Sequence, residues 1–308
     1  MKSASRAVCS IALLIAAPIL ARVDIAVAQD FADDCRNKQP RDAIAACNRW
    51  IQRSPRDPKA YLFSGINHFL LEEYDRALAD YTATIKLDPK EDWAFNGRGR
   101  IYTIRGQYDL AITEFDAAIR VNPKVADTYF SNRGLANIGK GDIDRAISDF
   151  GEARKLTNDQ FYLYRRALVR FSDASYSAAV GDLIESIKDA RSLKLDVDGF
   201  AVVALFLAHT RTGDSNARNE LQNAASELKI RGATTTLVKV YLEEASPDQA
   251  LSRARKNDVC ATRFFVAHWY LLRGERNRAV ELLKTVESGC ARHDYGYDAR
   301  AELTRMGL

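Results

Sequence analysis

Small and aromatic apolar positions recur along this chain at a fixed interval. Ala43, Ala77, Ala111, Ala146 and Ala179 stand 34, 34, 35 and 33 residues apart. Four residues after each comes a larger apolar side chain or a cysteine: Cys47, Tyr81, Phe115, Phe150 and Leu183. Gly65, Gly99 and Gly134 each precede their alanine by twelve residues, and Tyr61, Phe95 and Phe130 lie four before those glycines. Pro55, Pro89 and Pro123 close the first three copies twelve residues after the alanine; Asn158 takes that place in the fourth. Several positions holding one period across this stretch mark a repeat architecture, in which each unit stacks only on its neighbours. Each copy reads as two antiparallel helices, with Gly106-Gln107-Tyr108-Asp109 and Gly141-Asp142-Ile143-Asp144 as turns within a pair.

The pattern resembles the tetratricopeptide repeat (TPR), W-x2-L-G-x2-Y…A-x3-F…P. The second copy fits best: Phe95-x2-Arg98-Gly99-x2-Tyr102, Ala111-x3-Phe115, Pro123. The tryptophan is missing throughout, and Ser64, Arg98 and Arg133 stand where the family has leucine. The resemblance implies an all-α solenoid of helical hairpins, a right-handed superhelix with degenerate terminal units. Its organisation is expected to be a degenerate unit at 29–56, a four-unit array at 57–198 that is best preserved over 58–158, and divergent TPR-like helices at 199–308. Within the last region, Phe200–Ala208 reads as an apolar helix and Asn216–Leu228 as its partner. Thr234–Leu242 is β-branched, yet it reads as a helix because a lone strand has no sheet to join.

The N-terminus reads as an export signal. Lys2 and Arg6 precede the charge-free run Ala7–Ala21, which at 15 residues is shorter than the roughly 20 that span a bilayer. Ala26-Val27-Ala28 then supplies the small residues of a cleavage site, so cleavage is expected after Ala28 and a periplasmic location follows. No lipidation motif surrounds Cys9 or Cys35.

Composition changes the picture only after that cut. The chain has 308 residues, with 45 basic against 41 acidic side chains and a formal charge of +4. Removing residues 1–28 leaves 280 residues and +2, a balance that points away from nucleic acid. It also leaves Cys35, Cys47, Cys260 and Cys290, an even set in an oxidising compartment. Cys260 opens the first helix of the last pair and Cys290 follows the second, which brings the two to one end of an antiparallel hairpin. Cys35–Cys47 follows by elimination and by nearness across a short turn.

Catalytic chemistry is not legible. His68, His209, His268 and His293 are scattered, with no H-E-x-x-H and no G-x-S-x-G. Gly134–Gly141 approaches a phosphate-binding loop, but Gly141 replaces the magnesium-binding hydroxyl and no strand precedes it. The chain therefore reads as a non-enzymatic scaffold, with no cofactor and no metal, that binds a protein or peptide. In TPR proteins the first helix of each pair lines the concave face, which makes Trp93, Asn96 and Arg100, then Ser131 and Asn132, then Tyr164 and Arg165 the expected partner groove. Asn and Arg would bond backbone and carboxylate groups of the ligand. The alternatives are an enzyme accessory subunit and a membrane-tethered envelope assembly factor.

Overall fold

The computed structural model describes residues 31–192, 199–227, 233–290 and 294–308. The expected signal peptide lies outside them. Described residues are helical or in turns, with no strand among them. A short helix α1 (residues 31–37) is followed by α2 (Pro40–Arg53), α3 (Pro58–Leu70), α4 (Tyr74–Leu87), α5 (Asp92–Ile104) and α6 (Tyr108–Val121). Next come α7 (Asp127–Lys140), α8 (Ile143–Thr157), α9 (Gln160–Ser172), α10 (Tyr176–Ser192), α11 (Gly199–Thr212) and α12 (Ala217–Glu227). The chain ends with α13 (Ala233–Tyr241), α14 (Pro247–Arg253), α15 (Val259–Leu272), α16 (Arg276–Gly289) and α17 (Asp294–Arg305). Helix α13 takes in Thr234–Tyr241 of the β-branched segment, and Leu242 falls in the turn that follows.

The turn between the two helices of a pair has one recurring feature. Glu72, Gly106, Gly141, Ala174, Gly213, Glu243 and Gly274 all take a left-handed backbone, with φ from 61° to 87°. Glycine adopts it without penalty, and the three other residues carry the cost that a Cβ brings there. Helix starts are fixed by side chains: Asp57 accepts from Lys59 N–H at 3.0 Å, Asp159 from Phe161 N–H at 2.9 Å, and Ser246 with Gln249 forms a reciprocal cap on α14.

Two compact units divide the chain, one ending at Ile101 and the other running from Tyr102 to Leu308. In the first, Cys35 of α1 is joined to Cys47 of α2, and these helices bury Ala43, Trp50 and Ala60. Arg36 lies over both Trp50 and Phe63 at 5.1 Å. The repeat signal has a direct packing cause here. The Tyr81 ring is pressed between α3 and α5, and a Cβ on Gly65 or Gly97 would stand 2.8 Å or 2.5 Å from it. Any larger residue at these two positions would force the ring aside.

In the second unit α7/α8, α9/α10, α11/α12, α13/α14 and α15/α16 are antiparallel hairpins. Ala146, Ala179 and Ala279 are fully buried where their helices cross. Cys260 is joined to Cys290, which ties the start of α15 to the end of α16. The last helix, α17, packs on α16 and also on α7 and α9, more than 120 residues upstream.

The polar residues that replace the family's leucine are explained by the hairpins. Arg133 on α7 grips Asp149 on α8, with Nη2 to Oδ1 at 2.6 Å, and Asn137 adds a bond to the other oxygen at 2.8 Å. Arg166 holds Asp182 the same way across α9/α10, at 2.9 and 2.7 Å. Across α3/α4 the same register sets Ser64 against Asp80, whose carboxyl burial raises above its ordinary range. Each pair is separated by 16 residues, so an acid on the second helix recurs with the polar residue on the first.

Candidate functional site

The residues expected to line a partner groove fall into two environments. In the first unit, Trp93 stands on the first turn of α5 and is 55% exposed. Arg100, two turns further along the helix, is also exposed, and its guanidinium stacks 4.4 Å above the Phe69 ring of α3. A cation over an aromatic face is a partly desolvated, oriented donor, suited to a carboxylate or a backbone carbonyl. Asn96 differs from expectation: only 3% of it is exposed, so it belongs to the packing beneath this face.

In the second unit the corresponding faces are covered by the chain itself. Arg165 is 1% exposed and donates through Nη1 to Oδ2 of Asp298 on α17, at 2.9 Å with the acid equally buried. The Tyr164 and Tyr295 hydroxyls meet at 2.7 Å. Tyr297 of α17 joins the cluster of Ile138, Phe150 and Tyr162, and Ala299 and Leu303 enter the core formed by α9 to α16. Arg300 reaches Tyr108 and Glu287. The acidic, aromatic ligand expected of Tyr164 and Arg165 is thus present as α17, and neither residue is available to a partner in this structure. Ser131 and Asn132, on α7, are half-buried.

Titratable groups in the second unit reflect burial more than chemistry. Burial pushes the Asp149 carboxyl above its ordinary range, against the pull of Arg133 and Asn137. His268 is fully buried, set edge-on against Phe264 at 4.6 Å and Phe171 at 5.1 Å, with no hydrogen bond to either ring nitrogen. Burial lowers its pKa from 6.5 to about 4, only partly offset by Glu302.

One cluster of metal-ligand types occurs among the described residues: His209, Asp214 and Glu220. Asp214 faces Nδ1 of the imidazole at 2.9 Å and Glu220 faces Nε2 at 3.2 Å. The two carboxylates lie on opposite sides of the ring, and one ligand atom from each of the three residues falls within 4.8 Å of the others. Gly141 of the phosphate-loop lookalike caps α7 with φ at 87°, and Gly139 makes room for the Tyr108 ring.

Comparison with known proteins agrees with this architecture. A TPR repeat family model matches residues 99–141. The fold is all-α, built of TPR-type helical hairpins. It is similar to a tetratricopeptide repeat protein from Parabacteroides merdae, 14% identical, with 90% of this chain and 99% of that one covered at a TM-score of 0.57. It is also similar to PilW, described as a widely conserved type IV pilus biogenesis factor, at 14% identity, 66% and 93% coverage and a TM-score of 0.54. PilF of Pseudomonas aeruginosa matches at 13% identity, 67% and 92% coverage and 0.53. At these identities the likeness concerns the fold. No curated protein sequence matches the chain. Proteins built of TPR hairpins serve as protein-interaction scaffolds, and among the described residues no helix is long and apolar enough to cross a membrane.

Proposed function

We propose that the protein is an exported, non-catalytic adaptor that binds a protein partner on the face of α5 carrying Trp93 and Arg100. The observation behind this reading is the pairing of an exposed tryptophan with an arginine stacked on Phe69, on the first helix of a TPR hairpin. Tryptophan and arginine are the side chains that most often dominate binding energy at protein interfaces. Ser131 and Asn132 are secondary candidates on α7. Tyr164 and Arg165 are not, because α17 already engages them.

Two measurements test the parts separately. Crosslinking pull-down from the cell envelope with wild type and Trp93→Ala/Arg100→Ala should show at least a tenfold loss of the partner in the double variant. Equal recovery from both would remove this face from the account. Export is tested by sequencing the mature N-terminus, expected to begin at Gln29. A chain that retains Met1 would support the tethered alternative instead.

A further inference from the structure

The turn joining α11 to α12 gathers three side chains of metal-ligand type that the adaptor reading does not use. His209 comes from the last turn of α11, Asp214 from the connection, and Glu220 from the start of α12. The backbone fixes their juxtaposition. Gly213 takes a left-handed φ of 80°, and the Asp214 N–H donates to the His209 carbonyl at 3.0 Å, closing the end of α11. The Asn216 N–H then donates to Asp214 Oδ1 at 2.8 Å, while Oδ2 faces the imidazole.

The two ring nitrogens stand in different surroundings. Asp214 Oδ2 is 2.9 Å from Nδ1, an ordinary hydrogen-bond length, and an ionised carboxylate only accepts, so the ring proton belongs on Nδ1. That leaves a lone pair on Nε2. This nitrogen is buried and has no hydrogen-bond partner, although Glu220 Oε2 is only 3.2 Å away. A lone pair beside a carboxylate is repulsive, and a cation held between them reverses the sign. The spacing fits such an ion. Two donors on a tetrahedral zinc ion, each about 2.0–2.1 Å from it, stand about 3.3 Å apart. Asp214 on the far nitrogen supplies the outer carboxylate that orients a metal-bound histidine and fixes its tautomer.

His68 on α3 provides an internal contrast. Its Nδ1 meets Glu73, also five residues onward, at 2.6 Å. Its Nε2, however, is 3.8 Å from Asp80, wider than two ligands of one tetrahedral ion.

We infer that His209 Nε2 and the Glu220 carboxylate bind a divalent transition-metal ion of the zinc type, with Asp214 as the positioning carboxylate and water completing the coordination. An imidazole ligand selects such an ion over magnesium and calcium, which take oxygen. This site owes nothing to the α5 face, and its test involves no protein partner, so the two readings stand or fall independently.

The probe is zinc chloride, titrated calorimetrically at neutral pH into the full mature protein without a polyhistidine tag. One zinc ion per chain should bind, and magnesium should not compete. His209→Gln should abolish this binding. Glu220→Gln, at an exposed position, and Asp214→Asn should each weaken it about 10- to 100-fold, with circular dichroism showing the helical fold intact. His68→Gln should leave it unchanged. The imidazole nitrogens give a second readout, independent of affinity. On adding zinc, the His209 Nε2 resonance in a nitrogen-detected NMR spectrum should shift while Nδ1 keeps its proton. Asp214→Asn should raise the share of the tautomer protonated on Nε2. An absence of saturable zinc binding would overturn the inference. So would binding that survives in folded His209→Gln, or a His209 ring that stays protonated on both nitrogens in the presence of zinc.

Discussion

Replacing Arg165 with methionine is expected to lower the unfolding free energy by about 3–5 kcal/mol, read by urea denaturation at neutral pH. The guanidinium and the Asp298 carboxylate are each 1% exposed and meet at 2.9 Å. Their attraction offsets the cost of taking both charges out of water. When one partner goes, the other stays buried and loses this ion pair, and that residual penalty dominates the effect. The sign of the double variant is the discriminating feature. Arg165→Met/Asp298→Leu removes both charges and should recover most of the loss, because a buried ion pair contributes little beyond an apolar pair of similar volume. A single variant within about 1 kcal/mol of wild type would mean that α17 does not seat against α9 in solution.

The second large effect is a pH dependence centred on His268. Its pKa falls from 6.5 to about 4 on folding, since the ring is buried among Phe171 and Phe264 without a hydrogen bond. Between those values the unfolded chain binds a proton that the folded chain refuses. Stability therefore drops as the pH falls from about 6.5 and stops responding to this group below about 4. The shift corresponds to a loss on the order of 3 kcal/mol across that window. Glu302, Arg211 and Arg305 face the ring and set the local field, so total stability also reflects other groups. The comparison with His268→Phe isolates the histidine. Wild type should lose more stability than the variant between pH 7 and pH 4, and parallel curves would refute the assignment.

Much of the fold was legible in the sequence because its packing is local and periodic. The aromatic residues four after Ala77 and Ala146 sit against small residues of neighbouring helices, Tyr81 against Gly65 and Gly97 and Phe150 against Gly134. Those contacts repeat at the period of the chain, so the period reports them. The polar residues at the leucine position were legible too, but only with their partners. Arg133 and Arg166 make sense once Asp149 and Asp182, 16 residues later, are read together with them.

The candidate site was less legible, for a different physical reason. Tyr164 and Arg165 have the composition of a ligand-binding face, and a cation awaiting a foreign carboxylate looks the same in sequence as one that meets its own. Asp298 lies 133 residues downstream of Arg165, outside any repeat, and no period specifies where a terminal helix will pack. Asn96 illustrates a smaller error. It shares a stripe with Trp93 and Arg100, yet it sits deep enough to be enclosed, and helix spacing alone does not set depth.

A partner protein on the face of α5 bearing Trp93 can be captured in place with a photoreactive benzoylphenylalanine at residue 93 of the full-length protein, activated in the cell envelope. A discrete crosslinked protein is expected from position 93 and little from the same probe at Leu156, which is also exposed but lies on α8. Crosslinks from position 156 with none from 93, in a protein shown to be exported and folded, would contradict it.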